Sequence, residues 1–362
     1  MSAATALVKA RHARPELAAD AVRIALDKAD LDRPNAVLLY LSTDFARDPA
    51  PAIRAAARAA NCLQIAGCTA TGLFTEEEWV LDSPAAAALV LGGQYRLQSA
   101  QAGEPLLTLS APNALDWNWL AAGGERYGGV SGDATGQGPY QVWQAARCQM
   151  SGRCELVLSG GRVRIGVSHG VRPLSAPATV TAVNGHDILA VEGEPALANL
   201  VHELPLGTRH PDRLPLHLLM LGVTYGMPMN ALEEGRYHLL PVVASNTHER
   251  SITVAAQVPL GSRIFWAMRL PQAAEFEMRS LVEGLSADTL DEPRFGLMFN
   301  CSGRGPYFYD GEDRDILQFT RHFPDTPLIG FYGNGQIAHL DGANRLLQYS
   351  TVLALFHDHV PA

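Results

Sequence analysis

The chain repeats itself across its length. Near one end the apolar run Leu38-Leu-Tyr-Leu-Ser-Thr43 is followed by an Ala/Arg-rich helical stretch, then Ile65-Ala-Gly-Cys-Thr-Ala-Thr-Gly72, then a second apolar run over 85–91. Near the other end Leu297-Met-Phe-Asn-Cys-Ser302 is followed by a helical stretch, Ile329-Gly-Phe-Tyr-Gly-Asn-Gly335, and an apolar run over 350–356. Gly67 and Gly330, Gly72 and Gly335, and Leu89 and Val352 are all 263 positions apart. A fixed offset between similar segments is the mark of a duplicated unit. A strand-helix-strand-strand unit present twice is therefore predicted, with the halves paired about a pseudo-two-fold axis and a ligand cleft between their facing loops.

Hydrophobic periodicity fills in the elements. Leu17, Ala21, Ile24 and Ala25 recur at helical spacing, which predicts a helix over 15–29; 51–60, 272–283 and 311–322 read as further helices. Strands are predicted over 35–41, 64–69, 85–91, 294–300 and 326–331. Between 95 and 170 the short apolar runs and glycines predict antiparallel strands, with Ser159-Gly-Gly-Arg162 as a hairpin turn. The order of elements implies an α/β (or α+β) fold of mixed sheets flanked by helices. Pro173 and Pro177 interrupt the pattern, so a boundary is expected near 171–181, giving domains over 1–173 and 174–362.

Charge and cysteine content exclude several roles. There are 28 Lys+Arg against 37 Asp+Glu in 362 residues, a net charge of −9, which repels a polyanion and argues against nucleic acid as a partner. Only Lys9 and Lys28 are lysines; every other cation is arginine. Five cysteines, an odd number in a long chain, are expected to be free thiols in a reducing compartment. The longest apolar stretch, Leu214–Val223, is broken by Pro215 and His217 and falls short of the ~20 residues a membrane span needs. No signal peptide is read at the N-terminus, so a cytoplasmic protein without membrane contact is expected.

Catalytic signatures such as G-x-S-x-G, a P-loop, H-E-x-x-H or C-x-x-C are missing. The densest polar constellation is Asn300-Cys-Ser-Gly-Arg-Gly305, at the end of an apolar strand. Free backbone N–H groups and the planar fork of Arg304 there suit a carboxylate or phosphate. The competing reading has Arg304 paired with a structural carboxylate such as Asp310 or Asp313. Cys301 is either a reactive thiol or a buried one. The matching loop of the first half supplies Cys68, Thr69 and Thr71, against Tyr332, Asn334 and Gln336 in the second. His169, within Ser168-His-Gly-Val-Arg-Pro173, is either a ligand or general base or a histidine satisfied by a backbone carbonyl. Ser131–Gly136 lacks the alternating carboxylates of a calcium loop. Cys62/Cys68 and Cys148/Cys154 are spaced too widely for a structural zinc pair, so no metal is predicted.

Together these phrases resemble the FIST family, whose members carry an N-terminal and a C-terminal FIST domain. The resemblance runs from about Asn35 to Phe356. Its marks are Ile65–Gly72, Gly128-Gly-Val-Ser-Gly-Asp133, Ser168–Pro173, Val180–Asn184 leading to Glu194-Pro-Ala196, Gly296–Gly305 and Leu328–Gly335. It implies a bacterial, non-enzymatic sensory protein that binds a small amino-acid-like or anionic metabolite. The ligand-binding residues expected from the two loops are Cys301, Ser302, Gly303, Arg304, Gly305, Cys68, Thr69, Asn334 and Gln336, with His169 and Arg172. Where family members often carry Gly-Glu, this chain has Gly72-Leu73 and Gly335-Gln336, which removes two carboxylates that would meet an ammonium group. No output domain is read in the chain, so a separate signalling protein (a kinase, cyclase or chemotaxis component) is expected to be the partner. The stretch Leu204–Asn230, with Leu219, Met220, Met227 and Met229, is the expected readout surface. No cofactor is expected. Two alternatives stay open: a haem-binding nitric-oxide sensor using His169, and an enzyme using Cys301 as nucleophile.

Overall fold

The computed structural model describes residues 2–133, 135–226, 230–287 and 291–358. It divides into two compact units, one made of the chain up to Ser168 together with the part from Met278 onward, the other of His169–Glu277.

The first copy of the repeat runs β1 (Ala3–Lys9), α1 (Glu16–Ala29), β2 (Ala36–Ser42), α2 (Ala50–Ala60), β3 (Ile65–Ala70), β4 (Gly72–Thr75), β5 (Trp79–Leu81) and β6 (Ala85–Leu91). β2 is buried along its whole length, as its unbroken apolar run requires of a central strand. It pairs in parallel with β3 and antiparallel with β6, and β6 also pairs with β1. α1 and α2 end at Asp30 and Asn61, both left-handed, a conformation these short polar side chains tolerate. Their apolar faces, among them Leu17, Val22 and Ile53, pack on the outer side of this sheet.

Next come β7 (Arg96–Ser99), β8 (Leu106–Ser110), the short α3 (Trp117–Ala121), β9 (Arg126–Val130), β10 (Val142–Gln144), β11 (Arg147–Cys148) and β12 (Arg153–Ser159), then β13 (Arg162–Ser168). The turn between β12 and β13 is tight, but it is no hairpin: β12 pairs with β7 and β8, and β13 with a strand near the C-terminus. A Cβ at Gly160 would lie 2.3 Å from the Gln94 carbonyl oxygen, so the chain is pinned there while it changes sheets.

Residues 169–277 form a unit of their own: β14 (Val171–Pro173), β15 (Ala178–Asn184), β16 (Asp187–Val191), β17 (Glu194–Pro195), α4 (Ala196–Glu203), β18 (Leu219–Thr224), β19 (Tyr237–Asn246), β20 (Ser251–Val254), β21 (Arg263–Arg269) and the start of α5 (Pro271–Ser286). The antiparallel ladder runs β21-β15-β16-β20-β19-β18 and returns from β18 to β21, so it closes on itself. Closure leaves no strand edge among these six. Its core includes Val180, Leu200, Leu221, Ile252 and Trp266. Leu219 and Met220 belong to β18 and are buried, which removes them from the expected readout surface; Met227 and Met229 lie outside the described residues.

The second copy then completes itself with β22 (Phe295–Cys301), α6 (Arg314–His322), β23 (Leu328–Gly333), β24 (Gly335–Leu340), β25 (Ala343–Leu347) and β26 (Thr351–His357). Its sheet runs β13-β26-β22-β23, the counterpart of β1-β6-β2-β3 with the same parallel and antiparallel pairings. The duplicated unit is therefore larger than its sequence signal. Where the first copy joins β1 to α1 through residues 10–15, the second joins β13 to α5 through residues 169–270.

Register fixes the equivalence residue by residue. Leu38 opposes Ala66 and Leu89, and Leu297 opposes Ile329 and Ala354. Gly67 thus matches Gly330, but Leu89 matches Ala354 and not Val352, because the segment from Gly335 is two residues longer than that from Gly72. The repeat is not carried further. β4 adds to the second sheet beside β23, whereas β24 pairs with β9 in a third sheet, ordered β25-β24-β9-β8-β12-β7. The three sheets enclose a common core in which Tyr40 meets Phe331 edge-on at 4.9 Å.

Candidate functional site

The carboxyl ends of parallel strands are where open α/β sheets present their loops to a ligand. Here the loops of both copies meet. β4 crossing to β23 brings the Thr71 N–H to the Tyr332 carbonyl at 3.1 Å, and Thr71 Oγ1 lies 3.3 Å from Ser302 Oγ. Ser302 donates its N–H and its hydroxyl to the Gly333 carbonyl, at 2.8 and 2.9 Å. Thr69 Oγ1 accepts from the Gln141 N–H at 3.1 Å and lies 3.2 Å from Ser131 Oγ. Gly132 faces Asn334 so closely that a Cβ would stand 2.6 Å from its side-chain oxygen. Asp133 folds its own loop by accepting from Thr135 Oγ1 and from the N–H groups of Gly136 and Gly138.

Beneath the second copy's loop lies a polar row. Tyr332, Asn300, Thr351 and Ser168 are successive register partners on β23, β22, β26 and β13, so their side chains share the face turned toward α6. All four are buried. The segment from Ser302 to α6 closes over them with charged groups. Arg304 Nε and Nη2 donate to the two oxygens of Asp315, both at 2.9 Å. Its Nη1 and Nη2 donate to the carbonyl and hydroxyl oxygens of Ser168, at 2.8 and 2.7 Å. Tyr309 and Thr351 donate to Asp315, and Tyr332 donates to Asp313 at 2.5 Å. Asp313 also caps α6 at the Ile316 N–H.

Three features of this row matter chemically. First, Arg304 holds a carboxylate of its own chain and is 1% exposed, so it is not the fork for a ligand's carboxylate. Its partner is Asp315, not Asp310 or Asp313. Second, burial, and then the charge of Asp315, push the Asp313 carboxyl up to about 7. Third, Asn300 is 0% exposed, yet neither its oxygen nor its nitrogen has a hydrogen-bond partner. Each such unmade bond costs about 1–3 kcal/mol.

The remaining expected site residues are dispersed. Cys301 follows Asn300 on β22, so it lies on the opposite face of that strand from the row, and it is buried. Cys68 lies in the three-sheet core, and burial, reinforced by nearby Cys154, raises its thiol pKa well above the usual range. Gln336 is buried there with both amide atoms unpartnered. Gly303 and Asn334 are half-buried, and Gly305 backs onto Tyr332, whose ring a Cβ would approach to 2.8 Å. His169 and Arg172 belong to the other compact unit. His169 Nε2 lies 3.4 Å from the Gly235 carbonyl and its ring lies 4.4 Å from Tyr237. Arg172 is exposed. Sequence reasoning missed Asp315, Tyr309, Thr351 and Ser168 as members of the row. Only Asp313 carried a local signal, as an N-cap ahead of a helical period.

Comparison with known proteins places the chain among sensory domain proteins. A FIST N domain matches residues 35–194 and a FIST C domain residues 196–339. The chain belongs to the FIST family, whose domains are sensory modules that bind small ligands. It is 28% identical over 233 residues to an uncharacterized protein of Mycobacterium tuberculosis strain H37Rv, covering 64% of this chain and 60% of that protein. An uncharacterized protein of Mycobacterium bovis is 27% identical over 232 residues with the same shares. Human F-box only protein 22 is 29% identical over 92 residues, 20% of this chain and 22% of that protein. The chain thus spans 60% of the length of the mycobacterial relatives it matches. Among the described residues no helix is long and apolar enough to cross a membrane.

Proposed function

We propose that the chain is a non-catalytic sensor of an amino-acid-like metabolite, held at the polar row of the second copy and read by a separate protein. Asn300 is the observation that carries this reading: a buried amide with a donor and an acceptor both unused is worth its cost where a ligand completes it. Electrostatics chooses which end of the ligand enters. Arg304 is neutralised by Asp315, and Asp313 adds a second carboxyl, so the row opposes an anion and accepts an ammonium or amide group. This replaces the two carboxylates lost from Gly72-Leu73 and Gly335-Gln336. Because Asn300 is fully buried, entry requires the segment over 302–313 to move, and that segment carries Tyr307, 75% exposed. A ligand that favours one position of this segment changes the surface a partner meets.

Thermal unfolding of the full chain against the common amino acids tests the reading, with Asn300→Leu beside it. A ligand at a hundred times its dissociation constant stabilises by about 2.7 kcal/mol. The expected result is a rise in Tm for the natural chain that is lost in Asn300→Leu, whose unliganded stability is equal or higher because the unpaired amide is gone. A variant that unfolds early, or that binds as well as the natural chain, makes Asn300 structural and sinks the reading.

A further inference from the structure

The far end of the first sheet carries a groove that the sensory site does not use. It lies at the amino ends of β2 and β3 and beside the last turn of α2, and has a volume of about 880 Å³. Arg33, Arg54 and Arg58 line it, with Asn61 and Gln64 beside them and Leu63 as an exposed apolar wall. Among the described residues none of the three guanidiniums has an ion-pair or hydrogen-bond partner. Arg54 and Arg58 stand one turn apart on α2, so they repel each other. In a chain of net charge −9, a concentration of unpaired positive charge runs against the overall balance. The helix dipole accounts for Arg58 in the last turn of α2, but not for Arg54, nor for Arg33, which comes from the loop before β2.

We propose that this groove is a binding site for a small phosphorylated metabolite. Planar guanidinium forks take phosphate oxygens two at a time, and three arginines lining one groove suit more than one negative charge. The volume falls in the range of small-molecule sites, and Leu63 and Ala57 offer a surface for the uncharged part of the ligand. Arginine as such is no signal in a chain with two lysines; the signal is that arginines without partners, from α2 and from the loop before β2, line one groove.

Calorimetric titration of the full chain with ADP, inorganic pyrophosphate and adenosine tests this at low and at high salt. ADP and pyrophosphate bind, more weakly as salt rises, and adenosine does not. The double variant Arg54→Gln, Arg58→Gln loses affinity for both anions by about tenfold or more. Its Tm without anion is unchanged or higher, since a repulsion is removed, so loss of binding is separated from loss of fold. Asn300→Leu binds both anions like the natural chain, which keeps this test apart from that of the sensory site. Failure of both anions to bind, equal binding by the double variant, or adenosine binding as tightly as ADP overturns the proposal.

Discussion

Arg304 and Asp315 form a two-bond pair, each bond 2.9 Å long, in which the arginine is 1% exposed and the aspartate 0%. Such a pair is worth little against an apolar replacement, but removing one partner strands a buried charge at a cost of about 3–5 kcal/mol. Arg304→Ala is therefore expected to lower stability by that amount in urea unfolding, and Asp315→Ala likewise. The double variant Arg304→Met, Asp315→Leu should recover most of it. Additive losses would mean that each side chain acts alone and that the pair is not the unit.

Asp313 makes stability depend on pH. Its carboxyl titrates near 7 in the folded chain because burial, and then Asp315, disfavour the charged form, whereas an unfolded aspartate titrates near 3.9. Between those values the folded state holds a proton that the unfolded state has released, so stability falls as pH rises from about 4 to about 7 and then levels. The loss is on the order of a few kcal/mol. Asp313→Asn should flatten this slope and raise stability above pH 7, measured by urea midpoints across pH. An unchanged slope would assign the dependence to other groups.

The ammonium-binding reading adds a second pH effect with the opposite sign. A protonated Asp313 is neutral and offers no charge to a cation; an ionised one does. Affinity for an amino-acid ligand should accordingly rise as pH passes through about 7 and become pH-independent in Asp313→Asn. Affinity that falls over this range would show that the ligand presents an anion.

Gly67 and Gly330 show what a repeat makes legible. A Cβ would lie 1.7 Å from the Leu39 carbonyl oxygen at the first and 2.1 Å from that of Met298 at the second, equivalent atoms on equivalent strands. Both glycines are needed for the same close approach, so they survive in sequence as a fixed offset. Gly67→Ala and Gly330→Ala should each disrupt folding, whereas Gly335→Ala, whose Cβ would meet a flexible Leu346 tip at 3.0 Å, should cost far less. Comparable Tm values for all three would refute the backbone-clash argument. The Arg304 partner was not legible in the same way, since Asp310, Asp313 and Asp315 all lie within a dozen residues and only the seating of α6 selects among them. Nor was the pairing of β13 with β26, because nothing in Arg162–Ser168 distinguishes a neighbour in sequence from one near the C-terminus.

The closed sheet over residues 169–270 sits in the second copy where the first has a short loop, and among the described residues its apolar core cluster is made of residues of its own unit. β13 ends at Ser168 and pairs along its length with β26, while Met278, Val282 and Leu285 of α5 join the core of the second sheet. The elements that must hold together are thus on either side of the insertion. Replacing 169–270 with a connection the length of residues 10–15 should leave a soluble chain that unfolds in one cooperative transition and keeps a near-ultraviolet aromatic signal from Tyr95, Phe295 and Phe356. Helix and strand content without that signal would mean that the insertion helps to fix the packing of the duplicated unit.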